Sequence, residues 1–284
     1  MALVYGFYHK QNLGDELFKK AFPKFFPLMD FCFENYLSKD LLKQHSTVII
    51  GGGSFLNQPF TKKDDCVDLF EGKTIYYAGV GGETDIHPEH EKVLRMAKKI
   101  WIRTHHREKF LKYNPNVEVI EDLVHLLDIK EKNHPRKNIL FIPNIYTIPH
   151  HKDPYWKHSI WHFFKNEIGQ IIDQVEMKFF TMSCFKNSND LCAAYELCSA
   201  SVKRHAEIIG YTNQLEEIEN IFNSAKCVIT QRYHGIILAK MTNTPFIAIC
   251  HDNKLKEAGA GGIYLDYAGC SKSRILESIE QIQK

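Results

Sequence analysis

None of the eight cysteines, at positions 32, 66, 184, 192, 198, 227, 250 and 270, forms a C-x-x-C pair. That spacing is the usual mark of zinc knuckles and thioredoxin-type redox sites, so neither is expected. Scattered cysteines in apolar runs read instead as buried free thiols in a reducing compartment. There is no H-E-x-x-H. His158 and His162 stand four apart on an expected helix, but no third ligand accompanies them, so no metal site is expected. A G-x-x-x-x-G-K-[ST] loop is missing, and Gly51-Gly-Gly-Ser-Phe-Leu56 fails as a dinucleotide fingerprint because Leu56 stands at the third glycine. No run approaches the roughly 20 apolar residues of a membrane span. Met1 to Phe7 is too short for a signal-peptide core with its flanks. A soluble, cytoplasmic protein is expected, with peripheral membrane contact left open. The net charge is only +2, so there is no broad basic field for nucleic acid. Internal repeats and low-complexity tracts are also missing.

What remains is an ordinary globular composition, 44% hydrophobic and 25% charged, over 284 residues. That length is comfortable for two domains. Short β-prone runs alternate with helical periodicity: Ala2 to Phe7, Thr47 to Ile50, Thr74 to Ala78, Ile100 to Arg103 and Val117 to Ile120 read as strands. Leu17, Phe18, Ala21, Phe22 and Phe25 recur on one helical face, with Asp15 as the expected N-cap. Such alternation, with polar strand ends, predicts an α/β fold with parallel sheets. The Lys-rich stretch from Ile129 to Lys137 reads as a linker. It divides an N-terminal domain, 1–132, from a C-terminal domain, 133–284, where the alternation resumes.

Three strand ends carry ligand-binding character. Asn12-Leu-Gly-Asp15 is a strand-to-helix turn. Gly51-Gly-Gly53 and Gly79-Val-Gly-Gly82 are turns where a backbone can approach a ligand closely. The richest stretch is Cys227 to Lys254, which reads as strand, turn, helix, strand, turn. A parallel βαβ unit places ligands outside the carboxyl ends of its strands. Arg232 and His234 follow the first strand; His251, Asp252 and Lys254 follow the second. Arg232 and His234, two apart, would point the same way in extended backbone. Gly235 would turn the chain sharply into a helix whose N-terminus favours anions.

Arg232-Tyr-His-Gly with Ala239, Pro245 and Lys254 downstream resembles the signature of the polysaccharide pyruvyl transferases. Asn12-Leu-Gly-Asp-Glu16, Thr47-Val-Ile-Ile-Gly-Gly-Gly-Ser54, Gly79-Val-Gly-Gly82, Arg103 and the Asp122 region follow in the family's order. The resemblance implies a GT-B-like fold, two Rossmann-like domains with parallel sheets facing a cleft. It implies transfer of pyruvate from phosphoenolpyruvate onto two hydroxyls of a sugar as a cyclic ketal, with release of phosphate. The implied partners are phosphoenolpyruvate and a sugar or carrier-linked glycan acceptor, with no cofactor. Arg103, Arg232, Lys254 and Gly235 would bind the donor, since Arg offers bidentate bonds to phosphate or carboxylate and Lys a point charge. His234 would act as general acid or base, or bond the departing phosphate. Asp15 would serve catalysis by steering hydroxyls, and Asn12, Gly52, Gly53, Gly81 and Asp122 would line the cleft. Two rival classes stand beside this: sugar transfer from a nucleotide donor, with Glu257 as the only nearby carboxylate for a ribose, and a non-catalytic glycan-binding relative.

Overall fold

The protein is described from a computed structural model, which covers residues 1–60, 66–82, 85–103, 105–144, 155–185, 188–202, 206–251 and 253–282. His150, His151 and Asp252 lie outside these residues. The chain divides into two compact units, Met1–Leu127 and Asp128–Lys284. The division falls before the Lys-rich stretch expected to be the linker, because that stretch is fastened to the second unit. Ile129 is buried, Lys130 N–H donates to Glu219 Oε1, and Lys132 N–H donates to Asn223 Oδ1.

The first unit runs β1 (Ala2–Tyr5), α1 (Leu13–Phe25), β2 (Phe31–Glu34), α2 (Lys39–Gln44), β3 (Thr47–Gly53), β4 (Thr74–Val80), α3 (Pro88–Met96), β5 (Lys99–Ile102), α4 (Arg107–Leu111) and β6 (Val117–Val119). Its sheet is parallel throughout, in the order β2-β1-β3-β4-β5-β6. Helices cover both faces, so the central strands are continuous apolar runs such as Val48-Ile-Ile50, all fully buried. Leu17, Phe18, Ala21 and Phe22 of α1 are fully buried, on the face their spacing predicts. Asp15 is not the N-cap. Asn12 holds that position, and Asp15 sits buried in the first turn. β3 also runs three residues past its expected end, pairing through Gly51 and Gly53 with β4. Small residues are needed there: a Cβ on Gly51 would stand 2.6 Å from Ala78 O and 2.7 Å from the Phe22 ring.

The second unit runs β7 (Asn138–Ile142), α5 (Tyr155–Ile172), β8 (Met177–Phe180), the two-stranded antiparallel β9 (Cys184–Phe185) and β10 (Ser188–Asn189), α6 (Asp190–Cys198), β11 (Glu207–Ile209), α7 (Leu215–Asn223), β12 (Ala225–Thr230), α8 (Tyr233–Met241), β13 (Phe246–Cys250), β14 (Ile263–Asp266) and α9 (Lys272–Ile282). The six-stranded sheet is parallel in the order β11-β8-β7-β12-β13-β14. Its core joins Phe141, Phe164, Phe179, Ile229 and Ile247, all fully buried, with Trp161 of α5 at the margin. All eight cysteines are free. Burial differs from the expectation: Cys66, Cys227, Cys250 and Cys270 are buried, whereas Cys192 is exposed on α6. Among the described residues no helix is long and apolar enough to cross a membrane.

Candidate functional site

In each unit the strand order reverses direction once. The reversal lies between β1 and β3 in the first sheet and between β7 and β12 in the second. Open parallel sheets bind ligands at such points, outside the carboxyl ends of the strands. The residues singled out from the sequence fall around these two points.

In the first unit, the turn after β1 holds His9 and Gln11 at φ 59° and 47°, a region non-glycine residues rarely enter. Tyr8, fully buried, donates its O–H to Gly51 O at 2.8 Å. Burial, and then the charges of Asp15 and Glu16, hold the Tyr8 phenol well above its usual range, so it stays a neutral donor. Gly52 and Gly53 lie at φ 74° and 107°, which only glycine adopts without strain. Asp15 Oδ1 lies 3.3 Å from where a Cβ on Gly53 would stand, so the acid packs onto the glycine turn. Gly81 N–H donates to Gly53 O at 3.1 Å and ties the two glycine segments together. Arg103 is differently placed from its expected role. Its side chain and that of Asp122 are each 1% exposed, and Nη1 donates to Asp122 Oδ2 at 2.9 Å. Nη2 donates to Ser54 Oγ at 3.0 Å. Asp122 Oδ1 also accepts from Val124 N at 3.0 Å and so caps a short 3₁₀ turn. Arg103 and Asp122 therefore form a sealed pair that locks three strand ends together.

In the second unit, α8 starts at Tyr233, so His234 lies in the helix and not on extended backbone. Alternation along a strand does not relate Arg232 to His234. Gly235 is likewise in the first helical turn, where it is needed for space: a Cβ would stand 2.3 Å from Thr230 Oγ1. That hydroxyl holds the turn, accepting from Arg232 N at 2.9 Å and donating to Arg232 O at 3.0 Å. Arg232 occupies the N-cap with no side-chain cap bond. It pairs with Asp190: Nε donates to Oδ2 at 3.0 Å, and Nη2 donates to Oδ1. The Asp190 side chain is fully buried, while that of Arg232 is 13% exposed. Lys254 Nζ lies 6.0 Å from the centre of the Tyr233 ring, which brings its charge to the same helix end.

Sequence reasoning missed three groups here. Asp190 opens α6, and nothing in its local sequence singles it out. Asn144 and Gln231 follow β7 and β12, on either side of the reversal. Asn144 N–H donates to Gln231 Oε1 at 3.0 Å, and Asn144 Nδ2 lies 3.4 Å from His251 Nε2. Gln231 is fully buried, and among the described residues its Nε2 has no hydrogen-bond partner. The available signal was position: Asn144 and Gln231 each follow a buried strand. Among the described residues, no group of three or more His, Cys, Asp or Glu could hold a metal ion.

Two parallel-sheet α/β domains of this kind define a GT-B-type fold, and solved structures share it. A UDP-N-acetylglucosamine 2-epimerase from Methanocaldococcus jannaschii, in complex with UDP-GlcNAc and UDP, superposes with TM-score 0.60 at 12% identity, covering 100% of this chain and 92% of that one. A putative UDP-N-acetylglucosamine 2-epimerase from Listeria monocytogenes gives 0.63 at 7%, covering 99% and 87%. HepE from Anabaena, in complex with UDP-glucose, gives 0.55 at 13%, covering 99% and 88%. At such identities the likeness concerns the fold alone. Comparison with curated protein sequences finds no match. The polysaccharide pyruvyl transferase family profile matches residues 3–253, and the chain belongs to that family.

Proposed function

We propose that the protein transfers the pyruvyl group of phosphoenolpyruvate to two hydroxyls of one sugar in a glycan or glycan precursor. The product is a cyclic ketal, and phosphate leaves. The observation that carries this reading is the grouping at the N-terminus of α8: Arg232 at its N-cap, His234 in its first turn and Lys254 beside Tyr233. A helix N-terminus with cations around it suits a small, highly charged anion.

The chemistry fixes what these groups must do. The methylene carbon of phosphoenolpyruvate gains one proton and becomes a methyl group. C2 becomes oxocarbenium-like and takes both sugar oxygens in turn, while its bond to the phosphate oxygen breaks. The two hydroxyls lose two protons; one matches the proton gained by carbon, and the other leaves with phosphate. His234 is assigned proton transfer or the departing phosphate, since an imidazole can act as acid and base near neutral pH. Arg232 and Lys254 are assigned the donor's anionic groups, and Asp15 the acceptor hydroxyls. Arg103, spent on Asp122 and Ser54, passes from donor ligand to scaffold. The reaction calls for no cofactor beyond the co-substrate.

Calorimetry and thermal shift with phosphoenolpyruvate and a nucleotide-sugar panel test this, using wild type, His234→Gln and Lys254→Met. Arg232→Ala is a poor first variant, because it would strand the buried Asp190 carboxylate. Phosphoenolpyruvate should stabilise the wild type and bind the variants more weakly. Stabilisation by a nucleotide sugar alone would move the protein to the glycosyltransferase class.

A further inference from the structure

We propose that Asp190 is a positioning residue, which fixes the plane of the Arg232 guanidinium so that the motif arginine meets its anionic ligand already oriented. The inference rests on the reading of Arg232 as a donor-binding residue, and goes beyond it by naming the group that makes that binding geometrically specific.

Both ends of the Arg232 side chain are fixed. At the backbone, Thr230 Oγ1 binds Arg232 N and O, and Gly235 N–H donates to Arg232 O at 3.0 Å. At the tip, Asp190 takes Nε and Nη2 side-on. A guanidinium is planar, so two bonds to one carboxylate set the direction of its other N–H bonds, away from Asp190. Asp190 is itself held in place: it is fully buried, it begins α6, and its N–H donates to Ser183 O at 2.8 Å. Rotamer freedom that an unrestrained arginine would lose on binding is thus already lost on folding.

Charge supports the same conclusion. A carboxylate beside Arg232 weakens the local attraction for anions, so electrostatics alone gives no reason for it. Stability is also a weak reason, since a buried ion pair often contributes little net. Orientation is what a side-on carboxylate supplies. The pair is not sealed: Arg232 keeps 13% exposure, in contrast to 1% for Arg103.

The test uses the full-length protein and begins with the wild type. The Arg232 Nε–Hε NMR resonance, assigned with Arg232→Lys, should be resolved and slow to exchange without ligand, and should persist when phosphoenolpyruvate binds. A resonance averaged with water, or lost on binding, overturns the proposal. Asp190→Asn should then shift or broaden that resonance and weaken phosphoenolpyruvate binding roughly tenfold or more. Unchanged affinity in a folded Asp190→Asn protein overturns the proposal. So does a gain in affinity, which would make Asp190 a counter-charge only. If the variant does not fold, the wild-type resonance decides. If phosphoenolpyruvate fails to bind the wild type, the donor reading falls, and Asp190 is judged on the resonance, with inorganic phosphate as the probe.

Discussion

Among the described residues each unit carries an Arg–Asp pair at the carboxyl edge of its sheet, and the two pairs differ in geometry and in burial. Arg103 and Asp122 are both about 1% exposed, whereas Arg232 is 13% exposed over a fully buried Asp190. From the sequence, both arginines followed strands and both were expected to bind the donor. Burial separates them. Arg103 spends its fork on Asp122 and Ser54, holding the ends of β5 and β6 to the residue that follows β3. Arg232 gives Nε and Nη2 to Asp190 and stays in contact with solvent. An arginine at a strand end is therefore scaffold or site according to what water can still reach.

The comparison can be broken most readily at the sealed pair. Arg103→Ala should destabilise the protein by about 3–5 kcal/mol, because Asp122 would be left buried and uncompensated. Urea unfolding measures this. The double variant Arg103→Met with Asp122→Leu should recover most of the loss. Arg232→Ala also leaves a buried carboxylate, Asp190, without its partner, but should cost less than Arg103→Ala because solvent already reaches Arg232 and can enter where its side chain stood. Equal costs would erase the distinction between the two pairs.

Glycines sharpen the same contrast. Gly235→Ala should cost about 1–3 kcal/mol by forcing Thr230 off the turn it holds. In the first unit, Gly52→Ala should fail through its backbone, at φ 74°. Cutting Thr230 back to Ala should partly relieve the first variant, and no side-chain change should relieve the second.

A third difference appears with pH. His90 on α3 is fully buried beside Phe60 and 3.2 Å from the Tyr77 hydroxyl. Burial pushes its pKa down from 6.5 to about 3. The unfolded chain binds a proton below pH 6.5, and the folded chain does not until about pH 3. Stability should be fully present above pH 6.5 and fall by about 1.4 kcal/mol per unit as pH drops toward 3. His90→Phe should flatten that slope in urea melts between pH 7 and 4.5; an unchanged slope would mean another group carries it.

The smallest expected effect is at Lys254. Lys254→Met should weaken phosphoenolpyruvate binding by about 1 kcal/mol, roughly fivefold, with stability changed by less than about 0.5 kcal/mol. Calorimetry and a urea melt on one preparation separate the two.

Much of the fold was legible because its signals are local. The runs Val48-Ile-Ile50 and Phe246-Ile-Ala-Ile-Cys250 are strands in any reading, since two covered faces require continuous apolar residues. The face of α1 follows from spacing alone. The motif residues Arg232, His234, Gly235 and Lys254 were legible as types in a pattern, and they gather at one helix end. Their geometry was not legible. Whether residue 233 begins the helix depends on Thr230 and on the packing behind Gly235, and that packing moved His234 from the expected turn into the helix. Asp15 looked like a cap, but the chain entered the helix at Asn12.

The sequence by itself determined an alternating chain of strands and helices, its two-part division and the family to which it belongs. Those follow from periodicity and from short motifs, which need no distant partner. Only the tertiary structure decided the order of strands in each sheet, and so where each reversal falls. It also decided that Arg103 is sealed and that Arg232 is held by Asp190, 42 residues earlier in the chain. Such pairs are set by burial and by contacts between residues far apart in sequence, and no local pattern records them.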